Sequence, residues 1–179
     1  MRKLTHSEIS AKRIRKDDAL SRPRLPIYAI ADNVRSLYNV GSMFRTSDGA
    51  LIEKLYLAGF TPHPPRKEIE KTALGSTGTV PWEYCEDART VIVELKKRKV
   101  RICAVELTTE SKPYFELKKS DFPLCLVFGN EITGISKEIV DEVDMAIEIP
   151  MFGTKQSLNV AVAFGVVLFD CVRVLTSSR

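Results

Sequence analysis

The chain has 179 residues, 44% hydrophobic and 28% charged, with a formal net charge of +4. That length fits one compact domain, and the composition excludes wholesale disorder. The longest apolar run, Val160–Phe169, is half of the roughly twenty residues a membrane span needs, and no apolar segment near the N-terminus resembles a secretory signal, so a cytoplasmic protein is expected.

The charge is unevenly placed. Residues 1–24 hold eight Lys and Arg against three acidic residues, a net of +5, which leaves the remainder near −1 of the total of +4. A basic arm over 1–25 on a near-neutral body over 26–179 points to a polyanion partner, most simply nucleic acid. Within the arm a short helix is expected from Ser7 to Leu20, with Ser7 as its N-cap, and Pro23 and Pro26 fence it from the body.

The body then alternates. A strand is predicted at Ile27–Ala31, a helix at Ser36–Gly49, a strand at Lys54–Gly59 and a helix at Arg66–Ala73. A strand at Val80–Tyr84, a helix at Asp87–Lys97, and strands at Arg101–Val105 and Leu124–Phe128 follow. A helix at Ser136–Val143, a strand at Met145–Ile149 and a final helix at Ser157–Leu175, capped by Ser157, complete the pattern. Strands alternating with helices define an α/β fold with a parallel sheet, and strands apolar throughout are buried on both faces. The final helix is too long for a strand and apolar nearly all round; Asn159, Asp170 and Arg173 fall on one side of it. Sheet packing explains part of that apolarity and a partner subunit the rest.

Several chemistries are disfavoured. The four cysteines form no C-x-x-C pair and read as reduced core thiols. His6 lies in the polar arm and His63 in a Pro-rich loop, so neither a zinc site nor a His-based triad is expected. No G-x-G-x-x-G or P-loop pattern occurs. What remains is a set of three polar loops, each following a strand: 32–41, 129–134 and 150–159. In an open α/β sheet ligands bind at the carboxyl ends of strands, near a reversal of strand order.

The three loops carry ordered motifs: N-V-R-S-L-Y-N-V-G-S-M-F-R-T-S-D, F-G-N-E-I-T-G-I-S and I-P-M-F-G-T-K-Q-S-L-N-V-A-V-A. Together they resemble the SpoU/TrmH family of S-adenosylmethionine-dependent RNA ribose 2′-O-methyltransferases, of the SPOUT class, over about residues 26–175. The resemblance implies a Rossmann-like parallel sheet with a deep C-terminal trefoil knot, and a homodimer with the last helix in its interface. It implies a methyl-donor site at Phe128, Gly129, Ile149, Pro150, Met151 and Leu158, with no metal. It further implies catalytic roles for Asn39, Arg45, Glu131, Ser157 and Asn159, with Asn33 and Arg35 on the RNA side. Apolar Ile149, Met151 and Leu158 suit an adenine face, and Gly129 would allow close backbone approach of the donor. A free guanidinium stays protonated, so Arg45 is expected to clamp a phosphate rather than act as a base, with Glu131 orienting it or contacting RNA. The expected activity is methyl transfer to a ribose 2′-hydroxyl of tRNA or rRNA. A non-catalytic RNA-binding relative and base methylation are the alternatives.

Overall fold

The computed structural model describes residues 1–12 and 14–177. In chain order the elements are α1 (His6–Ala11), α2 (Lys16–Ser21), β1 (Leu25–Asp32), α3 (Leu37–Ala50), β2 (Ile52–Ala58), α4 (Lys67–Ala73) and β3 (Trp82–Cys85). Then come α5 (Ala88–Lys97), β4 (Arg101–Val105), β5 (Lys112–Pro113), β6 (Leu124–Phe128), α6 (Lys137–Val140), β7 (Met145–Glu148) and α7 (Val160–Thr176). The seven strands form one parallel sheet in the order β3-β2-β1-β6-β4-β7-β5.

Side-chain alternation divides the sheet between two cores. On β1, Ile27, Ala29 and Ala31 face one core, while Tyr28 and Ile30 face the other. On β6, Leu124, Leu126 and Phe128 share the first core, and Cys125 and Val127 the second. The first core is covered by α3, α4 and α7, the second by the apolar stripe of α5 and by Ile139 of α6. Double-sided burial is what makes these strands apolar at every position.

The predicted elements of the body form, with local differences. The final helix starts at Val160 and its N-cap is Asn159, whose side chain accepts hydrogen bonds from the Ala161 and Val162 amides. Ser157 is therefore not the cap; it lies two residues upstream in an exposed loop. In the arm, the single expected helix is two. Thr5, not Ser7, caps α1 through a capping box with Glu8, and extended backbone at Arg15 opens α2. Arg13, inside the predicted span, lies outside the described residues. The strand β5 was not expected: it is two residues long, lies at the sheet edge and contains a proline, which only an edge tolerates.

The arm is tied to the body. Arg24 donates to the carbonyls of Ile52 at 3.0 Å and Thr79 at 2.7 Å. No helix among the described residues is long and apolar enough to cross a membrane.

Helices α3 and α4 approach closely at Gly41. A Cβ there would lie 2.0 Å from Thr72 Oγ1 and 2.3 Å from the Ile69 carbonyl oxygen. The Thr72 hydroxyl in turn donates to the Tyr38 carbonyl at 3.1 Å, fixing the first turn of α3. Gly→Ala inside a helix ordinarily stabilises by up to about 1 kcal/mol. Here overpacking reverses the sign, and Gly41→Ala is expected to cost about 1–3 kcal/mol. Chemical denaturation measures this, and a stabilised variant would show that the two helices can slide apart.

Candidate active site

The strand order reverses between β1 and β6. The chain moves outward from β1 to β2 and β3, then returns to the other side of β1 for the remaining strands. A reversal opens a crevice between the loops at the strands' carboxyl ends. Loops 33–36, 129–134 and 149–159 meet there.

One carboxylate joins the first two loops. Glu131 accepts from the backbone amides of Arg35 at 2.9 Å and Ser36 at 3.2 Å, and from Asn39 Nδ2 at 3.0 Å. The third loop joins through amides. Asn159 Nδ2 donates to Asn39 Oδ1 at 3.2 Å, while Asn159 Oδ1 accepts from the Ala161 amide at 2.9 Å. The direction of this chain is fixed at both ends. Helix N–H groups demand the oxygen of Asn159, and an acceptor-only carboxylate demands the nitrogen of Asn39. Burial would push the Glu131 carboxyl up, but its hydrogen bonds from Arg35, its own amide, Ser36 and Asn39 outweigh that and hold it below the ordinary carboxylate range. It is thus ionised at neutral pH, with its acceptor sites engaged.

A second clip binds the loops around β1 and β2. Asn33 adopts a left-handed backbone, φ 55°. Its Nδ2 donates to the buried Asp32 carboxylate, its Oδ1 accepts from the Phe60 amide at 3.2 Å, and its carbonyl accepts from Asn130 Nδ2 at 2.8 Å. Burial raises the Asp32 carboxyl above its ordinary value, partly offset by the Asn33 amide.

The loops enclose a cleft of about 290 Å³. Phe128, Gly129, Glu131, Ile149, Met151, Ser157, Leu158 and Asn159 line it, as the motifs led one to expect; Pro150 does not. Three further groups were not foreseen: Glu106, Glu148 and Asn130. Glu106 follows β4 directly, so the rule that sites gather at strand ends would have found it. Glu106 accepts from the amides of Leu107 and Ile135, both at 3.0 Å, and Glu148 accepts from the Ser111 hydroxyl.

Other predicted residues sit differently. Gly129 is needed by the protein's own backbone, because a Cβ there would lie 2.3 Å from the Gly134 carbonyl carbon and 2.4 Å from the Ile135 nitrogen. Asn33 spends its side chain on internal bonds and is not a free RNA-side group. Arg35 is exposed and gives only its backbone to Glu131. Arg45 lies six residues past Asn39, about 9 Å further along α3. It is exposed, makes no contact with Glu131, and lines a second, larger cleft of about 1300 Å³ against the arm, with Arg15, Lys16, Arg22 and Arg24.

Burial pushes the Cys85 thiol up to about 11 and Cys171 up to about 12. Among the described residues no three His, Cys, Asp or Glu side chains are grouped to hold a metal ion.

A parallel sheet whose crevice is closed by amide and carboxylate clips around a mixed apolar and acidic cleft is the layout of an α/β protein with a small-ligand site. The chain belongs to the SpoU rRNA Methylase family, whose sequence pattern matches residues 26–169. It is 33% identical over 165 residues to the tRNA (guanosine(18)-2′-O)-methyltransferase of Aquifex aeolicus, covering 90% of this chain and 75% of that one. The crystal structure of the A. aeolicus TrmH/SpoU tRNA modifying enzyme superposes with a TM-score of 0.78 at 34% identity, covering 87% of this chain and 78% of that one. An AdoMet-bound rRNA methyltransferase from Sinorhizobium meliloti superposes with a TM-score of 0.77 at 28% identity, covering 90% of this chain and 60% of that one.

Asn159 carries two separable duties, a helix cap and a donor to Asn39. Asn159→Ala is expected to lose both, costing about 1 kcal/mol of stability. Asn159→Asp keeps the cap oxygen and suits the helix N-terminus, so thermal stability should hold. An aspartate cannot donate to Asn39 Oδ1, so the backbone amides of Arg35 and Ser36 should shift in NMR spectra of both variants. Unmoved amides in the Asp variant would show that Asn39 is positioned without this donor.

Proposed function

We propose that the protein transfers the methyl group of S-adenosylmethionine to a ribose 2′-hydroxyl of tRNA or rRNA. The observation that carries this reading is the directed Asn159–Asn39–Glu131 chain, which joins all three motif loops at the rim of one cleft. The relatives named above act on tRNA and rRNA, and one of them binds the same methyl donor.

The cleft suits that donor. Its volume, about 290 Å³, lies at the lower end for small-ligand sites. Ile149, Met151 and Leu158 offer an apolar face for adenine, and the carboxylates of Glu106, Glu131 and Glu148 suit a molecule bearing positive charge. The bound donor supplies an electrophilic methyl group; the chain supplies alignment. Glu131 does not take the hydroxyl proton, because its basicity is lowered and its oxygens are engaged by the Arg35 and Ser36 amides and by Asn39. Its work is to hold Arg35, Ser36 and Asn39 in register with the cleft. Ser157 and Asn159 stand on the cleft rim, where the ribose would be steered. Holding hydroxyl and methyl in line supplies much of the rate. Arg45, a permanent cation, grips RNA phosphate and stabilises negative charge rather than serving as a base.

Three further readings belong to the same proposal. The basic arm over 1–25 grips RNA phosphates together with Arg45 across the larger cleft, which collects five cations around Asp48. The chain pairs as a homodimer through α7, whose outer face leaves Val162 and Phe169 half exposed, at 52% and 50%. The segment after β7 is knotted, and the protein works in the cytoplasm, where its RNA is.

Calorimetry should detect S-adenosylmethionine binding, and ribose-methylation maps of total RNA should lose a site when the gene is deleted. A folded protein with no donor binding at millimolar ligand would refute the assignment. Arg45→Ala should abolish turnover with donor affinity intact, while Arg45→Lys should retain weak activity, since it keeps charge without the planar fork. Near-normal turnover of the Ala variant would remove Arg45 from the mechanism. Light scattering should give twice the chain mass, and Val166→Asp on α7 should halve it or weaken folding. A monomeric wild type would refute the dimer.

A further inference from the structure

Beyond the cleft and the arm, the loop after β2 and the outer strand β3 carry aromatic rings that neither the motifs nor the clips use. His63 lies 4.7 Å from the Tyr84 ring centre and 6.3 Å from that of Trp82, the latter nearly parallel at 26°. Trp82 is rooted in the core by an edge contact with the fully buried Phe44 at 5.9 Å. Tyr84 is 39% exposed, and Phe60, which follows the glycine held by the Tyr84 hydroxyl, is 64% exposed. The Tyr84 hydroxyl donates to the Gly59 carbonyl at 2.9 Å, which fixes the backbone just before Phe60.

This group is rigid where it is rooted and wet where it ends. It is also wired to the cleft. The Phe60 amide donates to Asn33 Oδ1, and the Asn33 carbonyl accepts from Asn130, a cleft residue. A Cβ at Gly59 would lie 2.1 Å from Asn33 Oδ1, so only glycine admits this junction. Parallel strands are about 4.8 Å apart, so β2 and β3 lie roughly 10 and 15 Å from β6, on the same end of the sheet. Arg66 and Lys67 follow directly, exposed, with no carboxylate partner among the described residues. Glu83, beside Tyr84, is engaged by Lys54 at 2.6 Å.

We propose that Phe60, His63 and Tyr84 form a stacking platform for an unpaired base of the RNA flanking the methylated ribose, with Arg66 and Lys67 on its phosphates. The inference rests on the reading that the substrate is RNA. Proteins that read single-stranded or unstacked RNA do so by stacking bases on exposed aromatic rings beside backbone-tracking cations, and both elements are present here. Unpaired cations beside exposed rings favour a polyanion that also offers flat faces to stack, which is RNA.

The test is fluorescence anisotropy with a transcribed, modification-free tRNA pool and with fragmented 23S rRNA. The variants are Phe60→Ala combined with His63→Ala, Phe60→Trp, and Arg66→Gln. All of these side chains are exposed, and S-adenosylmethionine affinity and melting temperature should match wild type. The double variant should bind RNA roughly 5- to 100-fold more weakly, with the salt slope unchanged and KM raised while kcat at saturating RNA holds. Phe60→Trp should restore affinity. Arg66→Gln should instead lower the log–log salt slope by roughly 0.7. RNA affinity of the double variant within about twofold of wild type, or a loss in Phe60→Trp equal to that of the double variant, would overturn the platform. Wild type that binds RNA without methylating it would overturn the enzymatic reading alone, because the affinity comparison still decides the platform. Wild type that binds neither RNA pool would overturn both.

Discussion

The site depends on one ionised carboxylate placed where two loops cross. Glu131 takes hydrogen bonds from two consecutive backbone amides ahead of α3 and from the Asn39 side chain within it. Without that acceptor, the amides of Arg35 and Ser36 and the nitrogen of Asn39 would face one another with nothing to receive them. Loop closure across more than ninety residues of sequence is thereby concentrated at one side chain. The Asn39–Asn159 contact extends the constraint to the helix that covers the first core, so the cleft's shape and the sheet's packing are set together.

The division of labour around the cleft follows from what each group has left to offer. Glu131, Asn33 and Asn159 spend their polar atoms on the protein itself. Ser157, Arg35 and Arg45 have theirs facing outward. A guanidinium outside the cleft and carboxyl groups around it keep opposite charges in separate places. That separation fits an arrangement in which phosphate and methyl donor approach from different sides.

Much of the fold was legible in the sequence, because burial on both faces leaves a strong mark. The boundaries of Arg101–Val105 and Leu124–Phe128 were read correctly from apolar runs alone. What failed was decided by single hydrogen bonds. Ser157 and Asn159 are both good caps, and only the geometry of the loop selects the asparagine. β5 has two residues and one of them is proline, so no periodicity exists to detect. The motif loops were readable, but their internal partners were not: that Glu131 serves the backbone amides of Arg35 and Ser36, and that Gly129 sits against the backbone of Gly134 and Ile135, are facts of three-dimensional contact. The position of Arg45 on the arm side of α3 was equally invisible, since residue spacing along a helix gives no account of what packs beside it.

The partners of Glu131 at positions 35 and 36 are main-chain groups, which every residue except proline possesses. The clip therefore places almost no demand on side-chain identity there. Arg35 can be exchanged for another residue, altering what the surface presents, while the scaffold behind it stays in place. What the surface presents to a nucleic acid can therefore change at this point without rebuilding the clip behind it.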